Sequence, residues 1–369
     1  MIAAQPTDRH TDAPGWQRPV WQQELAQAVH DPLELLALLD LKPAQLHPPQ
    51  TAESLRAASR TFGLRVPRSY IRRMRRGDPR DPLLAQVLSS GAELADVPGF
   101  NADPLAESAA RRAPDLLHKY QGRALLITTG ACAVHCRYCF RRHFDYQPEP
   151  QDSRPGDSPR QGPQRWTQAL DIVRNDASIT ELILSGGDPL SLSNARLTWL
   201  LEAANAIGHL QRIRLHTRTP IVLPSRVDSG LLQALQAVRG DLIIVVHTNH
   251  SAELSDEVCA ALRALRETSK LLLNQTVLLA GVNDDADTLA SLSQRLFDCG
   301  VLPYYLHQLD HVAGAAHFEV PDARALELQA AVNARLPGYL VPKLVREVAG
   351  APAKLPLPPP PARIGPDCA

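Results

Sequence analysis

Apolar runs recur along the middle of the chain, separated by polar stretches with a helical pattern. The runs are ALLITTG (124–130), ITELILSGG (179–187), RIRLHT (212–217), DLIIVVHTN (241–249), LLLNQTVLL (271–279) and VLPYYLHQL (301–309). Their richness in Leu, Ile and Val predicts strands. Between them lie RWTQALDIVRND, ARLTWLLEAANAIG, SGLLQALQAVRG, DEVCAALRALRE and DTLASLSQRLFDCG, whose apolar spacing predicts amphipathic helices. Strands alternating with helices imply an α/β fold with a parallel sheet, and near-continuous apolar strands fit a sheet covered on both faces. A doubly wound sheet would satisfy the same alternation. The polar residues at successive strand ends, Ser185, His216, His247, Gln275 and Asp310, favour a partial (β/α)6 TIM-type barrel, because barrels collect functional groups there.

Residues 16–110 read differently. WQQELAQAVHDPLELLALLDL, TAESLRAASRTF and DPRDPLLAQVL are helical patterns punctuated by prolines, which predicts a helical module ahead of the barrel at 111–340. Residues 1–15 are expected to be disordered. The stretch 147–164, rich in Pro, Gly, Ser and charge, is expected to be a flexible, solvated loop. The C-terminal segment, 341–369, ends in the polyproline-like LPLPPPPARIGPDCA.

Composition narrows the possibilities. The 39 basic and 39 acidic side chains cancel, so there is no global nucleic-acid footprint. No apolar run approaches the roughly 20 residues of a membrane helix, and the opening MIAAQPTDRHTD lacks the pattern of a secretory leader. These features predict a soluble, cytoplasmic protein. RSYIRRMRRGDPR packs six arginines into Arg68–Arg80, either as a solvated helix face and turn or as a docking surface for an acidic partner.

Cys132, Cys136 and Cys139 follow the first strand in the run CAVHCRYC, with Tyr138 just before the third cysteine. Three thiolates this close can hold three irons of a [4Fe–4S] cluster and leave the fourth iron open to a small chelating molecule. A zinc site would want a fourth ligand, and His135 is awkwardly placed between two of the cysteines. A disulfide framework is disfavoured in a chain of this length and compartment. Cys259 and Cys299 read as separate, small buried hydrophobes, and Cys368 is isolated. Further on, the glycines of LSGGDPL (184–190) either form a tight turn or let backbone amides approach a charged group.

The cysteine run with Tyr138 resembles the radical S-adenosylmethionine (SAM) enzymes. LHKYQGRALL, CAVHCRYCFRRHF, LSGGDPL, RLHTRTPIVLPSR, VVHTNH, LLNQTVLLAGVND, PYYLHQLD, GYLVPKLVRE and GAPAK together are similar to the lysine 2,3-aminomutase family from about Trp16 to Leu355. Within it, RSYIRRM, DPLLAQVL, LLHKY and CRYCFRRHF look most similar to the shorter branch that makes β-lysine for modifying translation elongation factor P.

That resemblance implies a radical SAM barrel and an isomerase that moves the amino group of lysine from C2 to C3. Its cofactors would be a [4Fe–4S] cluster on Cys132, Cys136 and Cys139, SAM, and pyridoxal 5′-phosphate. Tyr138 would pack near the adenine of SAM. Ser185, Gly186, Gly187 and Asp188 would hold its amino group, with His247 and Gln275 nearby. Lys119, Tyr120 and Arg123 would contact the pyridoxal phosphate side. The covalent anchor falls on Lys354, in GAPAKLP, in preference to Lys343 in YLVPKLV. Arg141 matches the arginine that binds the substrate carboxylate. Asp310 and Glu347 match the two acids that bracket its ε-ammonium, with glutamate at 347 where the free-lysine enzymes have aspartate.

The resemblance also implies a reductant and a functional link to elongation factor P and its lysyl ligase, with neither nucleic acid nor membrane as partner. The zinc-binding cysteine cluster of the long free-lysine mutases is not expected, and a homodimer is. The competing functions are a lysine 2,3-aminomutase of β-lysine metabolism, a glutamate 2,3-aminomutase, and a non-catalytic iron–sulfur protein. The paired acids argue against glutamate, and Lys354 argues against the last.

Overall fold

The computed structural model describes residues 19–146 and 164–357. The disorder expected at 1–15, nearly all of the loop expected at 147–164, the polyproline end and Cys368 therefore lie outside the described residues.

Ten strands form one sheet in chain order: β1 (Arg111–Ala113), β2 (Leu116–Tyr120), β3 (Arg123–Thr129), β4 (Glu181–Gly186), β5 (Arg212–Thr217), β6 (Asp241–His247), β7 (Leu271–Val277), β8 (Leu302–His307), β9 (Lys343–Arg346) and β10 (Leu355–Pro356). The six strands expected from the sequence are β3 to β8, all parallel. β9 extends the parallel run, while β2 and β10 pair antiparallel at either end. The first and last strands do not pair, so the barrel is partial. The short flanking strands escaped the sequence pattern because two to five residues carry too little periodicity.

Helices occupy the crossovers: Gln164–Asn175, Asn194–Asn205, Ser229–Gln236, Asp256–Thr268, Ala286–Asp298 and Asp322–Arg335. Several begin where a short polar side chain can cap them. Asp228 accepts from Leu231 N at 2.7 Å and Asp285 from Thr288 N at 2.9 Å. Their inner faces bury Leu197, Leu201, Leu231, Leu262 and Leu296 against Leu182, Ile213, Ile244 and Leu272 of the strands. No helix among the described residues is long and apolar enough to cross a membrane.

Cys259 and Cys299 correct the sequence reading. They are not separate thiols but a disulfide, with Cα atoms 4.8 Å apart. Cys259 lies on the inner face of helix Asp256–Thr268, and Cys299 caps the end of helix Ala286–Asp298. The fold brings these neighbouring helices together, whereas a separation of 40 residues gives no pairing signal in the sequence.

The N-terminal module buries Trp21, Leu35, Leu55, Tyr70 and Leu83 in a core that also takes in Ala133 and Val134 of the cysteine run and Val222 and Leu223 after β5. The module thus packs directly on the segment carrying the thiols. Its arginine run is a paired, solvated face: Arg68 meets Glu34 at 2.9 Å, Arg76 meets Asp40 at 2.9 Å, and Arg72 and Arg75 lie 3.9 and 3.7 Å from Glu24 and Asp78. Arg73 turns inward instead, onto the Glu253 carbonyl.

A buried clamp fixes the cysteine run. Glu93, in the 3₁₀ turn Gly91–Leu94, receives Arg137 Nε at 2.9 Å and Nη2 at 2.5 Å, and Arg142 Nη2 at 2.6 Å. Removing one partner of such a set leaves charges buried without compensation. Glu93→Gln should therefore cost roughly 3–5 kcal/mol of stability, read as a lowered midpoint in denaturant. An unchanged midpoint would show that the clamp is not what holds this loop.

Candidate active site

The C-terminal ends of the parallel strands open on a cavity of about 330 Å³. Every site residue named from the sequence lines it: the three cysteines, Tyr138, Arg141, Ser185 to Asp188, His247, Gln275, Lys119, Tyr120, Arg123, Asp310, Glu347 and Lys354. Lys343, the competing lysine, starts β9 with its side chain exposed and is not part of the wall.

Cys132, Cys136 and Cys139 are free and share one wall, although among the described residues no three such groups stand gathered as for a metal ion. Burial pushes all three thiols up; the charge of neighbouring cysteines adds to it at Cys132 and Cys139, and that of Glu253 and Asp188 at Cys136, and Cys139 is pushed to about 11. Arg218 opposes the shift at Cys136 and Arg65 opposes it at Cys132. Three thiols that resist ionising alone, with guanidiniums beside them, are a donor set that a bound cluster of positive metal ions would discharge.

The glycines of LSGGDPL make a close crossing of two backbone segments. Gly186 sits at φ +122°, where a Cβ would lie 2.6 Å from the Thr129 carbonyl, and a Cβ on Gly187 would lie 2.4 Å from the Ala131 carbonyl. The small residues let the β4 end pass beneath the cysteine segment. The amides of Gly187 and Asp188 donate to Thr129 O and Ala131 O at 2.7 and 2.9 Å, so they are spent on the protein. The Asp188 carboxylate is likewise occupied, by Thr217 Oγ1 at 2.7 Å and the amides of Leu190, Arg218 and Thr219 at 2.7–2.9 Å.

Tyr138 is buried, with its hydroxyl held by Asn249 Nδ2 at 2.7 Å and by Arg218 Nη1. Its ring lies 5.6 Å from that of His247. Arg218 also reaches Gln86 at 2.9 Å and Glu253 at 3.0 Å, tying the N-terminal module to the ends of β5 and β6. Arg218 was missed from sequence although it stands at a strand end; only its buried partners reveal its place.

The opposite wall is charged. Lys354 Nζ lies 2.5 Å from Glu347 Oε2, and Glu347 Oε1 accepts from Lys119 Nζ and the Tyr120 hydroxyl, each at 3.1 Å. Burial would raise the Glu347 carboxyl, but Lys354 and Lys119 hold it well below its usual range. Asp310 has the opposite fate: burial and the Glu347 charge push it up to about 7, with the two lysines only partly offsetting them. Arg141 gives its Nε and Nη2 to Glu107 and its Nη1 to Ser185 Oγ at 3.0 Å. Glu107 was also missed, in a segment without any periodic pattern.

Three imidazoles complete the lining. Burial lowers His216, His247 and His307, with cations adding to it, and His247 falls to about 3. All are neutral near pH 7. The Nε2 atoms of His216 and His307 are buried without a hydrogen-bond partner, and Arg123 stacks on the Tyr120 ring at 4.6 Å. Unpaired polar atoms, a stacked guanidinium and a lysine in one cavity suit a polar aromatic ligand with an anionic group.

Comparison with known proteins gives a consistent set of relatives. The chain is 46% identical over 341 residues to the L-lysine 2,3-aminomutase of Escherichia coli (strain K12), covering 91% of this chain and 94% of that protein. The L-lysine 2,3-aminomutase of Haemophilus influenzae is 43% identical over 334 residues, covering 90% and 94%. That of Clostridium subterminale is 32% identical over 310 residues, covering 84% of this chain and 70% of its own. No family model matches the chain. Among solved structures, a radical SAM methyltransferase from Sphaerobacter thermophilus aligns with a TM-score of 0.40 at 18% identity, covering 63% of this chain and 68% of that one.

The raised Asp310 has a measurable consequence for the ligand-free protein. An unfolded aspartate titrates near ~3.9, so between there and about 7 the native state holds the extra proton. Stability contributed by this group is then lost as pH rises across that window. Asp310→Asn should raise the melting temperature by several degrees at pH 8 and by little at pH 4. An equal shift at both pH values would contradict the assignment.

Proposed function

The chain belongs to the L-lysine 2,3-aminomutase family, and from that premise we propose that it is a radical SAM isomerase converting L-lysine to β-lysine. The observation carrying this reading is a cavity that gathers the thiols of Cys132, Cys136 and Cys139 with Lys354, Arg141, Asp310 and Glu347. When bound, a [4Fe–4S] cluster with SAM would supply the radical chemistry at C3, and pyridoxal phosphate would carry the nitrogen from C2 to C3.

The residues divide the work. Cys132, Cys136 and Cys139 would hold the cluster, and Arg218 beside Cys136 would offset its negative charge. An amino group such as that of SAM is a donor and needs acceptors, so Ser185 Oγ and the Gly186 carbonyl suit it better than the spent amides of Gly187 and Asp188. Asp188 serves this site by fixing the Thr217–Thr219 turn. Tyr138, His247 and Gln275 would line the SAM side.

Lys354 would anchor the pyridoxal phosphate, with Lys119, Tyr120, Arg123 and the unpaired imidazoles around that group. Arg141 would take the α-carboxylate by charge-assisted hydrogen bonds. Asp310 and Glu347 would receive the ε-ammonium, which favours lysine over glutamate. In the ligand-free protein the Lys354 ammonium occupies Glu347, so Lys354 fills part of the seat that substrate is to take.

The finer reading is that the β-lysine serves elongation factor P, through a ligase that attaches it. Its support is the resemblance of the blocks RSYIRRM, DPLLAQVL, LLHKY and CRYCFRRHF to that branch. The alternative is supply of free β-lysine to metabolism.

Protein reconstituted without oxygen should carry about four irons per chain and form β-lysine from L-lysine in the presence of SAM, pyridoxal phosphate and dithionite. L-Glutamate should give no product. Cys136→Ala should no longer cleave SAM. Lys354→Ala should stop migration while retaining iron, and borohydride should trap the pyridoxal group on Lys354 with Lys343 unlabelled. Undiminished β-lysine from Lys354→Ala, or a preference for glutamate, would overturn the proposal.

A further inference from the structure

One buried carboxylate in the cavity wall has no part in the assignments above, yet it touches two residues that do. Glu107 is 2% exposed and precedes β1. Its Oε2 accepts from Arg141 Nε at 2.7 Å, and its Oε1 accepts from Arg141 Nη2 at 2.8 Å and lies 3.0 Å from Lys119 Nζ. The same Lys119 Nζ reaches Glu347 at 3.1 Å, and Glu347 holds Lys354. The side chains alternate in sign along one wall: Arg141, Glu107, Lys119, Glu347, Lys354.

Glu107 is ionised in this setting, because Arg141 and Lys119 outweigh the burial that would raise its carboxyl. Its backbone is fixed as well, with its amide donating to Asp103 Oδ1 at 2.8 Å. The carboxylate occupies the Nε–Nη2 edge of Arg141, and Ser185 takes Nη1. What remains for a ligand is the second hydrogen of Nη2 and the part of Nη1 held only loosely, at 3.4 Å, by the Gly186 carbonyl. That outer edge of the guanidinium is the one able to receive a second carboxylate.

Resting on the lysine reading above, we infer that Glu107 is a positioning residue for both ends of the substrate seat: it fixes the guanidinium that receives the α-carboxylate, and it shares Lys119 with Glu347. The second effect follows from charge balance. With Glu107 present, Lys119 is divided between two carboxylates. Without its charge, Lys119 falls wholly to Glu347 and competes there with the incoming ammonium. Arg141, released on one edge, no longer presents a fixed fork. Both changes weaken a ligand that carries a carboxylate at one end and an ammonium at the other.

The test is equilibrium dialysis on protein reconstituted with cluster and pyridoxal phosphate, with SAM omitted so that nothing turns over. The probes are L-lysine and cadaverine, the same diamine without the carboxylate. The wild type should prefer lysine by about tenfold or more, the scale of one charge-assisted contact. Glu107→Gln should lower lysine affinity about tenfold and bring the preference to within about threefold, at unchanged iron content. Glu107→Asp, which keeps the charge on a shorter arm, should recover part of both.

A purely structural role would instead lower stability and iron together and leave the preference intact. A Glu107→Gln protein with the wild-type preference overturns the inference alone. Should that variant fail to fold, a wild-type preference in Glu107→Asp overturns it equally. A wild type that does not favour lysine over cadaverine sinks the lysine reading itself, and the positioning role with it.

Discussion

A sheet whose first and last strands do not pair needs something other than a hydrogen-bond ladder to keep its ends together across the cavity. Charge does this here. Lys119, on β2 at one side of the sheet, meets Glu347, just past β9 at the other, at 3.1 Å. A second bridge lies nearby: Arg142, after the cysteine run, donates to the carbonyl of Gly314, beyond β8, at 3.1 Å. Asn101 and the loop after β8 exchange backbone hydrogen bonds, Asn101 N to His311 O at 3.0 Å and Ala313 N to Asn101 O at 2.8 Å. Lys119 and Glu347, both proposed for the site, thus also help to span the gap in the barrel, so changes in their pairing bear on both.

Such a wall tolerates many buried charges because each is compensated. Glu107 serves Arg141 and Lys119, Glu347 serves Lys119 and Lys354, Glu93 serves Arg137 and Arg142, and Glu253 meets Arg218. Desolvated charges in this arrangement contribute little net stability, but losing any single partner is costly. The exception is Asp310, whose carboxyl burial and the Glu347 charge push up to about 7 despite Lys354 and Lys119. The imidazoles take the opposite course and stay neutral, which leaves their Nε2 atoms as polar groups rather than further cations in a wall already rich in them.

The sequence made some of this legible and hid the rest for physical reasons. β3 to β8 were readable because each holds six or seven residues rich in Leu, Ile and Val between helical patterns. Ser185, His216, His247, Gln275 and Asp310 were readable as polar strand-end groups, and all five line the cavity. Sequence could not show that the amides at Gly187 and Asp188 are spent on Thr129 and Ala131, since that depends on how closely the cysteine segment crosses β4. Glu107 and Arg218 take their places from distant partners, Arg141 and Glu253, 34 and 35 residues away. The Cys259–Cys299 pair needed two helices to be placed side by side.

The geometry around Lys354, the proposed anchor, would let that lysine move without unsettling the barrel. Arg346 on β9 pairs directly with Leu355 on β10, so residues 347–354 form a loop closed by that rung. Glu347 and Lys354 stand at its two ends and meet across it at 2.5 Å. Gly350 lies at the far end of the loop with φ +77°, a conformation that side chains oppose, and no atom crowds the place where its Cβ would be. Movement of Lys354 away from Glu347 is therefore absorbed within one short hairpin. The rung at Arg346–Leu355 keeps the lysine tethered near the cavity, and Lys119 and Tyr120 keep Glu347 in its seat after the lysine has left.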